Sequence, residues 1–178
     1  HIAKNYHFKK LNYYRAFGAL DSKDYFNEFA RWGSIQNHSA THASFGKKST
    51  DLDHEICYVQ KRFGKKYDWY PWMLRPPYGA AQDSRAVRRM GEKCGIEQIV
   101  MWDASVGYGK ISYANSKLRP GSIVLMHFSP KLKRDLKLAV KKIRAAGLTP
   151  ANLADYLPRE RIVPEMLTVP VALRPPAR

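Results

Sequence analysis

A chain of 178 residues with 44% hydrophobic and 12% aromatic content is long enough to bury one sizeable core and too apolar to stay disordered. Its net charge of +16 suits anionic partners. The Lys and Arg residues are dispersed, however, without an RNP-like motif, zinc-finger spacing or basic-plus-heptad pattern, which argues against specific nucleic-acid binding. No apolar run approaches the ~18 residues of a membrane span. The opening HIAKNYHFKK has neither a Met nor the apolar segment of a signal peptide, and reads as the start of a processed or truncated product.

In chain order, Asp21 or Ser22 can cap a helix running through Tyr25, Phe26, Phe29 and Ala30 and stopping near Gly33. A short strand then passes Ile35 into Asn37-His38-Ser39-Ala40-Thr41-His42. Thr50 with Asp53 resembles a capping box, and Leu52, Ile56, Val59 and Phe63 follow at helical spacing until Gly64. The aromatic stretch WYPWML predicts a strand leaving into a rigid loop at Arg75-Pro76-Pro77-Tyr78. Ser84 opens a helix through Val87, Met90 and Cys94 that ends at Gly95.

Residues 96–102 and 122–128 are buried-strand candidates, and the second is the stronger. Residues 131–146 predict a basic amphipathic helix with Leu132, Leu136, Ala139 and Ile143 on one stripe and Gly147 as its stop. A short helix follows over 151–156, and 158–178 reads as a Pro-rich extended tail. Strands alternating with helices give an α/β domain over residues 1–157 with a largely parallel sheet. For Cys57 and Cys94, one disulfide and two buried thiols both remain open, whereas a CxxC site is excluded.

Three strand ends carry unusual chemistry. His38 and His42 lie four apart, and imidazoles suit zinc and similar borderline metals; taken alone, the pair reads more simply as two loop histidines. Arg75 precedes two prolines that would rigidify a loop and leave the Tyr78 N–H facing an oxyanion, although a surface ion pair would explain the Arg equally. His127 follows Val124, Leu125 and Met126, where it is either a core histidine satisfied by a carbonyl or a desolvated general acid.

Together these segments resemble the polysaccharide deacetylases, the carbohydrate esterases that share the nodulation-factor deacetylase homology domain. HSxxH matches His38-Ser39-Ala40-Thr41-His42 after the frequent Asn37, RxPY matches Arg75-Pro76-Pro77-Tyr78, and Leu-x-His matches Leu125-Met126-His127. The resemblance runs over roughly residues 20–157 and implies a distorted (β/α) barrel. It further implies a metal held by His38, His42 and an Asp, most simply zinc. His127 would be the general acid, with Asp103 as its partner or as a structural Asp closing the strand. Arg75 would tether the catalytic base; Tyr78, Pro77, Leu125 and Trp102 would contact substrate.

Two departures stand out. The family's Asp-Asp motif, source of the third ligand and the base, lies further ahead of HSxxH than the 37 residues available here, and Asp21 and Asp24 are too close to replace it. The expected fold therefore lacks its first strand. The fourth motif keeps Trp102-Asp103 but not the usual closing Asp-Trp. The resemblance implies removal of acetyl groups from N-acetylated polysaccharides of the chitin or peptidoglycan type, by a secreted or wall-associated protein whose charge suits anionic wall polymers. An acetyl-ester esterase acting on a polymer such as acetylated xylan and a non-catalytic sugar-binding relative are the alternatives.

Overall fold

The computed structural model describes residues 33–157 together with Asn27 and Ala30. The expected first helix lies outside the described residues except at those two helical positions, as do Asp21, Asp24 and the tail 158–178. The described chain forms two units, one of residues 36–99 and the other of 100–157 with the described residues up to Ile35.

In the first unit, Asp51 starts the long helix. Its carboxylate accepts the N–H groups of Asp53 and His54 at 3.0 and 3.2 Å. Thr50, the expected cap, instead donates its hydroxyl to the Ser44 carbonyl at 2.7 Å. A π-helical turn, Asp53–Cys57, leads into α1, Tyr58–Tyr67. The helix runs past Gly64, the expected stop, to a left-handed Asp68 with φ 54°. Gly64 has another purpose, since a Cβ there would fall on the Tyr70 ring.

Strand β1, Met73–Leu74, pairs in parallel with β2, Gln98–Ile99, and Asn37 bridges to Leu74 on the other side. Gln36 continues that edge with its side chain, whose carbonyl accepts the N–H groups of Trp72 and Met73 at 3.0 and 2.9 Å. Between β1 and β2 runs α2, Arg85–Lys93. It ends as its sequence predicts, on Gly95 at φ 80°. There the Ile96 N–H reaches back to the Gly91 carbonyl and the Gly95 N–H to that of Glu92, closing a Schellman motif. The core between these elements is Phe45, Ile56, Leu74, Val87, Ile96 and the Cys57–Cys94 disulfide. The alternative left open by the sequence is thereby resolved, with the Cα atoms 5.3 Å apart.

The second unit contains a hairpin that the sequence reading did not anticipate. Strand β3, Ala104–Gly107, turns through Tyr108-Gly109 into antiparallel β4, Lys110–Tyr113, and pairs in parallel with β5, Val124–Met126. Ala104, Val106 and Leu125 are buried, and α3, Leu132–Ala145, packs on β3 and β4. The expected apolar stripe of α3 is only partly used. Leu136 is 52% exposed, while Asp135 and Ala139 are the buried positions. The architecture is α/β; the sheets have two and three strands, one pair is antiparallel, and no closed barrel forms among the described residues.

The disulfide closes a 37-residue separation, which restricts the unfolded chain and contributes about 3–4 kcal/mol. Denaturant titration with and without reductant should therefore show a loss of that size. An unchanged midpoint in full reduction would contradict the pairing.

Candidate active site

The histidine loop is built on Asn37, which is 1% exposed. Its backbone joins the sheet edge, taking the Arg75 N–H at 3.1 Å and giving its own N–H to Met73 at 3.0 Å. Its side chain faces the other way. The amide donates to the Ile56 carbonyl at 3.1 Å and to Gln60 at 3.2 Å, and its oxygen accepts the Ser39 N–H at 2.8 Å. That last bond closes the turn in which Ser39 takes φ 74°. The Ser39 hydroxyl then accepts the N–H of His42, which sits at φ 68°. Two non-glycine residues in the left-handed region within one short loop mark a backbone held by its surroundings.

Glu55, on the π-helical turn, does the rest of the holding. It is 3% exposed, and its carboxylate accepts the Thr41 N–H at 2.9 Å and the Thr41 hydroxyl at 2.6 Å. Its backbone carbonyl takes the Ala40 N–H at 3.0 Å. The residues between the two histidines are thus fastened to a helix. The sequence carried a signal for this: Glu55 shares the stripe of Leu52, Ile56 and Val59, where a carboxylate needs a buried partner.

His38 is buried, and its Nδ1 lies 2.5 Å from the Arg75 carbonyl oxygen. A carbonyl only accepts, so Nδ1 carries the proton and a neutral ring has its lone pair on Nε2. His42 is half-buried, its ring centre 5.3 Å from that of His38 at 66° between planes. Two imidazoles sharing a tetrahedral zinc at ~2.0–2.1 Å would have centres roughly 5–5.5 Å apart. The ring spacing is compatible with two positions of a zinc site. No group of three or more His, Cys, Asp or Glu able to hold a metal ion occurs among the described residues.

The RPPY segment meets this loop within the same unit. Pro76 and Pro77 are buried, and Pro77–Gly79 forms a single 3-10 turn in which Tyr78 takes φ 59°. The Gly79 and Ala80 N–H groups bond to Pro76 and Pro77, while no hydrogen bond of the Tyr78 N–H occurs among the described residues. The Tyr78 ring is 68% exposed and lies 4.4 Å from that of His42. Arg75 is half-buried, and that burial pushes its guanidinium down from the usual arginine range.

The remaining predicted residues belong to the second unit. His127 stands one residue past β5 and is exposed, not enclosed in the strand. Leu125 is buried at the centre of β5, and Trp102 is half-buried. The Asp103 carboxylate accepts the Ile123 N–H at 2.7 Å, and its backbone N–H returns to the Ile123 carbonyl at 2.9 Å. This ties the start of β3 to the segment leading to His127.

No family model matches the chain, and no curated protein matches it. Solved structures do. A family 4 carbohydrate esterase pseudoenzyme from Bacillus anthracis, in a mutant with restored enzymatic activity, superposes at TM-score 0.60 and 19% identity over 83% of this chain and 56% of its own. The T48 deacetylase with substrate gives 0.55 and 24%, over 74% of this chain and 68% of its own. A family 4 carbohydrate esterase from Streptomyces lividans in complex with acetate gives 0.51 and 23%, over 71% and 68%. The chain therefore has the fold of the family 4 carbohydrate esterases and spans 56% of the first of these structures.

Glu55→Ala removes the acceptor that the Thr41 N–H and hydroxyl share. It should lower stability by about 1–3 kcal/mol in denaturant titration. A neutral result would show that the loop does not depend on this carboxylate.

Proposed function

We propose that this chain forms part of a metal-dependent hydrolase that removes acetyl groups from N-acetylated sugar polymers. The observation that carries the reading is the meeting of the two histidines with the RPPY turn: His38 bonded to the Arg75 carbonyl, and His42 against the Tyr78 ring. On this reading the fold is of the distorted (β/α) barrel type, and the likeness to family 4 carbohydrate esterases supports it.

His38 and His42 would hold a divalent metal, most simply zinc, as two of its ligands. When bound, the metal supplies Lewis-acid polarisation of an acyl carbonyl and of water. The Tyr78 N–H offers a hydrogen bond to the oxygen that gains charge as the carbonyl carbon becomes tetrahedral. His127, protonated, gives its proton to the departing amine, so the C–N bond breaks and water supplies the new acetate oxygen. Leu125 lines the methyl pocket, Pro77 and Trp102 contact the sugar, and Arg75 orients the base carboxylate. Asp103 acts as a positioning residue through Ile123. The third ligand and the base are not assigned to any residue of this chain.

A secreted or wall-associated setting is supported by the Cys57–Cys94 disulfide, since such bonds persist in oxidising compartments. The net charge of +16 supports adhesion to anionic wall polymers. Retention on isolated walls should then weaken as salt rises; salt-independent retention would remove that element. One further reading has a specific observation behind it. The likeness to a family 4 carbohydrate esterase pseudoenzyme favours a non-catalytic sugar binder.

Zinc titration followed by calorimetry, paired with acetate release from N-acetylated chitooligosaccharide and from acetylated xylan, tests these alternatives. The chain should take up zinc weakly, lose that uptake on His38→Ala, and release little acetate. Unchanged zinc stoichiometry in the variant would sink the metal assignment. Ready release of acetate from xylan alone would replace the amide reading with the ester one.

A further inference from the structure

The β3–β4 turn is built to hold one aromatic ring in solvent. Tyr108 and Gly109 are its two central residues, with φ of 52° and 77°, the signature of a type I′ hairpin. That turn favours Asn at the first central position, because Asn adopts a left-handed backbone readily and a bulky aromatic does not. This chain nevertheless places Tyr there, with the residue 80% exposed. Packing among the described residues does not explain that choice.

The turn is secured from below. Asp135 of α3 is 2% exposed and accepts the Tyr108 N–H at 3.0 Å and the Gly109 N–H at 2.7 Å. A buried carboxylate taking both amides of a turn fixes its tip far more firmly than cross-strand pairing alone. Beside it, the Arg134 guanidinium lies across Gly109, where a Cβ would come within 2.8 Å of it. Arg134 is 3.6 Å from Asp135 and has a 53% exposed side chain. A firmly held turn backbone that exposes the Tyr108 side chain, with a half-solvated guanidinium against the next residue, Gly109, offers an apolar face and a fork of hydrogen-bond donors on one hairpin tip.

We infer that the Tyr108–Arg134 tip is a carbohydrate-binding site, at which the Tyr108 ring stacks on a pyranose face and Arg134 donates to the hydroxyl or acyl oxygens at its edge. The carbohydrate class rests on the function proposed above. The site is built within the second unit and needs no metal.

The test is depletion binding of the full chain to insoluble chitin and, in parallel, to purified peptidoglycan. Tyr108→Asn suits the turn better than the native residue, so its unfolding midpoint should equal or exceed that of the unsubstituted chain. Its retention on the preferred polymer should nonetheless fall roughly five- to ten-fold, the effect of losing one stacked aromatic. Tyr108→Trp should retain binding. Equal retention by the Asn variant, with the unsubstituted chain bound, overturns this inference and leaves the proposed function standing. Loss of stability in parallel with loss of binding assigns Tyr108 a structural role and also overturns it. If the unsubstituted chain is retained on neither polymer, the carbohydrate reading fails first and this inference falls with it.

Discussion

Placing two histidines on a loop as a paired donor set requires the backbone between them to be immobile, and a buried polar network supplies that. Asn37, Glu55 and Gln60 are each at most 3% exposed, and their polar atoms meet backbone groups, one another and, for Glu55, the Thr41 hydroxyl as well. Gln60 donates to the Pro71 and Cys94 carbonyls, so the network reaches from the histidine loop to the segment before β1 and to the end of α2. Buried groups of this kind cost about 1–3 kcal/mol each when left without a partner. The arrangement thus acts as a lock: the loop, the sheet edge and the helix satisfy one another only in a single relative placement.

The functional loops were legible because their chemistry is written in contiguous residues. NHSATH, RPPY and LMH could be read without knowing a single contact. Their supports could not be read in the same way. Asn37 was visible as a neighbour of the histidines, but its bonds to Ile56 and Gln60 span 19 and 23 residues. Glu55 left a trace, a carboxylate on an apolar stripe, yet a helical pattern alone does not say which distant N–H it meets. The burial state of His127 also eluded the sequence, since a hydrophobic run does not specify where its strand stops.

For the fold, helix ends governed by a glycine in the left-handed region were the most readable features. Gly95 and Gly147 both end helices as the pattern implied, at φ 80° and 71°. Gly64 misled because a glycine can also serve as clearance for a neighbouring ring. The β3–β4 hairpin escaped notice because β4 alternates between exposed and half-buried positions and carries little apolar signal, and its turn uses Tyr-Gly where Asn-Gly would have announced it. Asp135 was concealed in the same manner as Glu55, as a charged residue whose partners lie on another element.

The π-helical turn at Asp53–Cys57 has a consequence for how this segment can change over time. Such a turn holds one residue more than the regular helix around it. Removing that residue would restore ordinary helical bonding, so on local grounds a deletion is favourable. Because the wider turn already absorbs the extra residue, the flanks would stay nearly in phase, and the side chains inside the turn would be the ones to move around the axis. Glu55 and Cys57 both lie within the turn, one directed to the histidine loop and the other to Cys94. A single-residue deletion would therefore re-aim the side chains that hold the histidine loop and the disulfide while leaving the rest of the helix in place, which makes residue count a constraint at this point of the chain.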